Sequence, residues 1–156
     1  MKLEVITDAR GIPLGTTVAA ANRAETDLIE DAIDDIPVPL PKQVPLIADR
    51  GYDSDPLRDR LKDQGIDLIC PHRKNRTKPS RNDGRKMKRY SRRYVIERTN
   101  AWLHNFRRIA NRWEYYSFIY HGFVRLACIV IAVGRLLNSL YLLRRNSYTF
   151  ARTDAM

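Results

Sequence analysis

Cysteine is scarce. The 156 residues hold two, Cys70 and Cys128, too few for a disulfide framework and in keeping with a reducing cytoplasm. Histidine is nearly as rare, with three residues scattered at His72, His104 and His121. Cys70-x-His72 lacks the second half of a metal pattern, so zinc is not expected. No glycine-rich loop of the P-loop or dinucleotide type is present. The opening Met-Lys-Leu-Glu-Val-Ile lacks the shape of a signal peptide. Long apolar runs are missing too: Leu126–Val133, between Arg125 and Arg135, falls short of the roughly 20 residues that cross a bilayer. A buried helix and no membrane partner are expected there. Acidic side chains fall short of basic ones, 18 against 28, for a net charge of +10. Such an excess points to an anionic partner, nucleic acid first.

What remains is globular: 44% hydrophobic and 29% charged residues, enough for one domain. The expected domain is residues 1–143, with a polar tail at 144–156. The charge is uneven. Residues 1–71 carry a net charge of −6, residues 72–93 of +10 and residues 94–156 of +6. The central segment, with Pro79, Gly84 and few apolar residues, reads as a loop, most basic over 71–89. It is either a solvated basic loop or a phosphate grip, and crowding so many cations beside an acidic half favours the grip.

Apolar patterning predicts strands at Lys2–Thr7 and Ile12–Ala19 around the turn Asp8-Ala9-Arg10-Gly11. It predicts a helix capped by Thr26 and carrying Leu28, Ile29, Ala32, Ile33 and Ile36, and a buried strand at Val44–Ala48. A short helix capped by Asp55, a strand at Ile66–Cys70 and two long helices, about Lys88–Arg108 and Tyr116–Leu143, complete the order. A hairpin followed by alternation suggests an α/β sandwich with a mixed sheet. Trp102 and Trp113 fit packing better than base stacking. Cys128 reads as a core thiol.

Asp49 ends the best buried strand, where functional groups of open α/β sheets collect; it either caps a turn or presents a carboxylate. At about 100° per residue, Tyr90, Arg93, Asn100, His104 and Arg108 share the helix face of Glu97. Val95, Trp102, Phe106 and Ile109 lie opposite, facing a core. The Glu97 face is either solvated surface or a metal ligand beside a phosphate groove. Two separated carboxylates on Mg²⁺ would suit phosphodiester chemistry.

Ala48-Asp49-Arg50-Gly51-Tyr52-Asp53-Ser54 resembles the block around the second catalytic aspartate in DDE transposases of bacterial insertion sequences, of the insertion-sequence-five group. Tyr90, Arg93 and Glu97 match that family's Tyr–Arg–Glu signature, and Arg98-Thr99-Asn100-Ala101-Trp102-Leu103-His104 continues the likeness, which covers roughly residues 3–137. The resemblance implies a ribonuclease-H-like catalytic domain, represented here by its C-terminal part and lacking its first strand. Asp49 and Glu97 would be catalytic carboxylates holding Mg²⁺ or Mn²⁺. Arg73, Lys74, Arg76, Lys78, Arg85, Lys86, Lys88, Arg89, Tyr90, Arg93, His104 and Arg108 would touch DNA, both transposon ends and target. The reaction would be hydrolysis and strand transfer at insertion-sequence ends, in the cytoplasm at the nucleoid.

Two departures matter. His104 stands where the family signature places a lysine, which makes that contact weaker or pH-dependent. The family's first aspartate lies on a strand before the hairpin; here Asp8 sits in an Asp-x-x-Gly turn and reads as a turn residue. The expectation is therefore weak or absent strand transfer by this chain alone, an upstream polypeptide supplying the first aspartate, and an exposed hairpin edge open to pairing with another chain. The nearly all-round apolar last helix would join a homo-oligomer or pack across the sheet. The rival expectation is a non-catalytic basic module that holds nucleic acid by charge.

Overall fold

The computed structural model describes residues 1–81 and 84–150, with side chains as far as Tyr141. Strand β1 (Lys2–Thr7) runs antiparallel to β2 (Pro13–Ala19). The turn between them forms because the Asp8 carboxylate accepts from the Arg10 and Ile12 N–H groups at 2.8 Å each. Gly11 takes φ +84°, a conformation that a side chain disfavours. Asp8 is thus a turn residue, as expected.

Helix α1 (Glu25–Asp34) buries Leu28, Ile29 and Ala32. Its N-cap is Ala24, not Thr26, which lies inside the first turn. The parallel pair β3 (Val44–Ile47) and β4 (Ile66–Ile69) is linked through a 3₁₀ turn (Arg50–Tyr52) and α2 (Asp55–Asp63). Ser54, not Asp55, is the N-cap of α2. The elements are a mixture of α and β, as patterning predicted.

The single mixed sheet is not found. Among the described residues there are two separate two-stranded sheets, β1–β2 and β3–β4. The core is divided the same way. One cluster holds Ile29, Tyr52, Leu57, Leu61, Ile66, Leu68 and Cys70; the other holds Leu103, Ile109, Tyr120, Val124 and Ala127. Patterning fixes which face of a strand is apolar but not which edge finds a neighbour.

The predicted helix from Lys88 to Arg108 is broken. It comprises α3 (Gly84–Tyr90), a 3₁₀ turn (Ser91–Arg93), α4 (Tyr94–His104) and α5 (Arg107–Ala110). Val95, Thr99 and Leu103 form its buried stripe. On a continuous helix Ile109 would point about 120° away from Leu103. The break at Asn105–Phe106 lets both enter one cluster.

Helix α6 (Ser117–Phe150) extends well past the expected end. The expectation that the apolar run is too short for a bilayer fails: Ser117–Tyr141 is long and apolar enough by length and composition. Tyr120, Val124 and Ala127 of that stretch are nevertheless core residues. The opposite stripe, Leu126, Ile129, Val133, Leu136 and Leu140, is exposed. The expected polar tail begins within this helix, and residues 151–156 lie outside the described residues.

Candidate functional site

Asp49 follows β3 and begins the 3₁₀ turn, its carboxylate accepting from the Arg50 N–H at 2.6 Å. One oxygen of Asp49 thus caps the turn, and the other is 3.2 Å from Nη2 of Arg93. Arg93 ends the 3₁₀ turn before α4. Its Nε is 3.7 Å from the Glu97 carboxylate one helical turn on, and its Nη1 donates to the Tyr90 hydroxyl at 3.0 Å. One guanidinium thus joins Tyr90, Asp49 and Glu97. Asp49 and Glu97 remain about half exposed, with 53% and 64% of their side chains open to solvent, so both can reach a ligand.

The group lies beside a cavity of about 1060 Å³ between β1 and β3. Asp49, Arg93 and the cations Lys88, Arg89 and Arg92 line it, as does Asp8. The described residues contain no group of three or more His, Cys, Asp and Glu side chains suited to a metal ion. With two carboxylates and a guanidinium between them, Asp49 and Glu97 do not by themselves fit a divalent cation; a further anionic donor is needed.

The basic segment is less open than its sequence implies. Arg73 donates to the Arg50 and Gly51 carbonyls, and Arg76 pairs with Asp53 and Asp55. Arg81 pairs with Asp55 and Asp59, and Lys86 with Asp67. Lys78 is 4.0 Å from Asp55. The acidic first half thus neutralises much of the basic middle. Gly84–Tyr90 within this segment is helix rather than loop. Lys74, Arg85, Lys88, Arg89 and His104 are exposed. Arg108 pairs with Glu114 at 2.9 Å and covers the Phe123 ring.

The residue that sequence reasoning missed is Asp53, 6% exposed. It accepts from Arg58 at 3.1 Å, Arg76 at 2.8 Å and the Arg73 N–H at 3.0 Å, and the His72 ring stands 3.2 Å away. Burial alone would raise its pKa; these donors outweigh burial and hold it below the usual carboxylate range. Its signal was an acid a few positions ahead of a helix that shares its sequence neighbourhood with a basic run. Cys70, beside Arg58, is buried, and burial raises its thiol to about 11. Cys128 is only half-buried, and burial likewise raises it to about 11.

Trp102 packs as expected, its ring covered by Arg98 at 5.0 Å and Arg135 at 4.2 Å. Trp113 does not: it is 75% exposed, as are most of Tyr115 and Tyr116.

Comparison with known proteins places the chain in a family. The family described as Transposase DDE domain matches residues 1–131. The protein assigned as the transposase for insertion sequence element IS402 of Burkholderia cepacia is 36% identical over 137 residues. That match covers 83% of this chain and 61% of the relative, so the chain spans about three fifths of the relative's length. No solved structure matches. On the family match across most of its length and the identity to an insertion-sequence relative, the chain belongs to the bacterial insertion-sequence DDE transposases.

Proposed function

We propose that this chain is the carboxylate-bearing part of a ribonuclease-H-like DDE catalytic domain that cleaves and joins DNA at insertion-sequence ends. The observation that carries the reading is the Tyr90–Arg93–Glu97 group drawn against Asp49 beside a cleft that Lys88, Arg89 and Arg92 also line. Asp49 and Glu97 would be two of the ligands of a Mg²⁺ or Mn²⁺ centre, with a further anionic donor supplied by an upstream polypeptide. Such an ion supplies charge neutralisation at the phosphodiester. Arg93 orients both carboxylates. Lys88, Arg89 and Arg92, which line the same cleft, guide the phosphate backbone toward them, with Lys74, Lys78 and Arg85 as outer contacts. His104 contributes a pH-dependent contact at the end of α4. Work at the nucleoid, and assembly as a homo-oligomer, follow from the same reading.

A strand-cleavage assay on inverted-repeat DNA with Mg²⁺ or Mn²⁺ tests it. The 156-residue chain alone should bind DNA and cleave weakly or not at all; the chain joined to an upstream segment bearing an aspartate should cleave. In the joined protein Asp49→Asn and Glu97→Gln should each abolish cleavage while leaving binding within about threefold, because neither removes a cation. Cleavage by the joined protein that survives both substitutions would defeat the reading.

A second reading, a non-catalytic nucleic-acid-binding module, draws support from the guanidinium that already neutralises the two carboxylates. It predicts salt-sensitive DNA binding indifferent to divalent ions and no cleavage even when the upstream segment is restored.

A further inference from the structure

The turn that carries Asp49 is only three residues long, Arg50–Tyr52. Two backbone bonds close it: the Tyr52 N–H donates to the Asp49 carbonyl at 3.0 Å, and the Asp53 N–H to the Arg50 carbonyl at 3.2 Å. So short a 3₁₀ turn has poor hydrogen-bond geometry and little cooperativity of its own. The Arg50 N–H that the Asp49 carboxylate accepts belongs to this turn. If the turn loosens, the direction of that carboxylate is lost with it.

Arg73 holds the turn from outside. Its N–H donates to the Asp53 carboxylate at 3.0 Å. Its Nε donates to the Arg50 carbonyl at 3.1 Å, and its Nη2 to the Gly51 carbonyl. One residue thus grips two successive carbonyls of the turn and the carboxylate just beyond it. Asp53 is itself fixed, because Arg58 donates both to Asp53 at 3.1 Å and to the Leu68 carbonyl in β4 at 2.8 Å. The clasp is therefore anchored to the β3–β4 sheet and not to a free loop. Two neighbouring carbonyls suit a guanidinium, whose planar fork aims N–H groups side by side; an ammonium on a flexible stem does not match both. The basic run by itself placed Arg73 among the DNA contacts, yet two of its five N–H groups are committed to backbone.

We infer that Arg73 is a positioning residue: with Asp53 behind it, its guanidinium fixes the Arg50–Tyr52 turn and, through the turn, the direction of the Asp49 carboxylate. Its part in DNA chemistry is exerted through Asp49 and not through a phosphate. The effect on cleavage rests on the proposed function; the clasp does not, because it is read with neither metal nor DNA present.

The experiment uses Arg73→Gln and Arg73→Lys. In the 156-residue chain, amide hydrogen exchange should quicken about tenfold or more at Tyr52 and Asp53 in both variants, while the Leu28 and Leu61 amides keep their native rates. In the chain joined to an upstream segment bearing an aspartate, both variants should lose at least about tenfold in kcat with KM within about threefold, the mark of a misplaced carboxylate. A phosphate contact gives the opposite pattern: Arg73→Lys cleaves as the native protein does and Arg73→Gln raises KM, with a shallower salt dependence of binding. That pattern overturns the inference. So do unchanged exchange at Tyr52 and Asp53, and an equal quickening at Leu28 and Leu61, which reports general loosening of the fold. A joined protein that never cleaves defeats the proposed function, and the exchange rates still decide the clasp.

Discussion

Asp49 and Arg93 meet across the cleft, carboxylate oxygen to guanidinium nitrogen at 3.2 Å, although they belong to different halves of the chain. The same guanidinium reaches Glu97 at 3.7 Å. Arg93 is therefore the residue through which the β3 end and the α4 start know each other's position.

Arg93→Ala should leave the fold nearly intact. Its partners are half exposed, and such pairs contribute about 0 to 1 kcal/mol. Urea denaturation should show a loss within that range. DNA cleavage by the chain joined to an upstream segment should fall at least about tenfold, an effect of misplaced carboxylates. Arg93→Lys should not restore it, since an ammonium lacks the guanidinium's planar fork.

Asp53→Asn should be far more damaging than Asp49→Asn. It leaves the Arg58 guanidinium, 10% exposed, without its carboxylate. A loss of about 2 kcal/mol or more is expected, read by chemical denaturation. The pH dependence follows from the lowered pKa of Asp53. The native state favours the ionised form, so its stabilisation is present above the usual carboxylate pKa and fades as pH falls through the lowered native value. In the Asn variant that part of the acid-side slope should vanish.

The Tyr52 hydroxyl donates to the Glu4 carboxylate at 2.6 Å, linking β1 to the 3₁₀ turn. Burial pushes the Glu4 pKa up, against the opposing pull of the Tyr52 hydrogen bond, and Glu25 adds to the rise. A raised native pKa means that Glu4 favours folding below the ordinary carboxylate pKa and loses that favour as pH rises through the native value. Tyr52→Phe removes the bond that holds the rise in check. Its Glu4 should titrate still higher by side-chain carboxyl NMR, with a stability loss of about 1 kcal/mol at neutral pH.

Gly15→Ala should unfold the hairpin side. A methyl group there would collide with the Ala32 carbonyl of α1 and approach the Ile36 side chain at 2.8 Å. The first obstacle is backbone, which cannot rotate aside. A loss of about 3 kcal/mol is expected in thermal or urea unfolding. Gly84→Ala, where a methyl group meets open space, should be nearly silent or stabilising.

Much of the fold was legible locally. The four strands lie within a residue or so of their predicted bounds because alternation and turn residues are local signals. Asp8 was readable as a turn from its spacing to Gly11. The long helix was not, because its breaks at Ser91–Arg93 and Asn105–Phe106 answer to packing: Ile109 must reach the cluster of Leu103 and Tyr120. Nor did the charge count show where the cations go. Arg73, Arg76, Arg81 and Lys86 find partners in the acidic first half only after folding.

By itself the sequence determined the element types, the basic character and the Tyr90, Arg93 and Glu97 spacing that marks the family, because each is written within a few residues. Only the tertiary structure decided that Asp49 shares Arg93 with Glu97, that Asp53 anchors the basic segment and that β1 and β3 line one cavity. Those are pairings between distant segments, and the hydrogen bonds and burial that select them exist only once the chain has closed on itself.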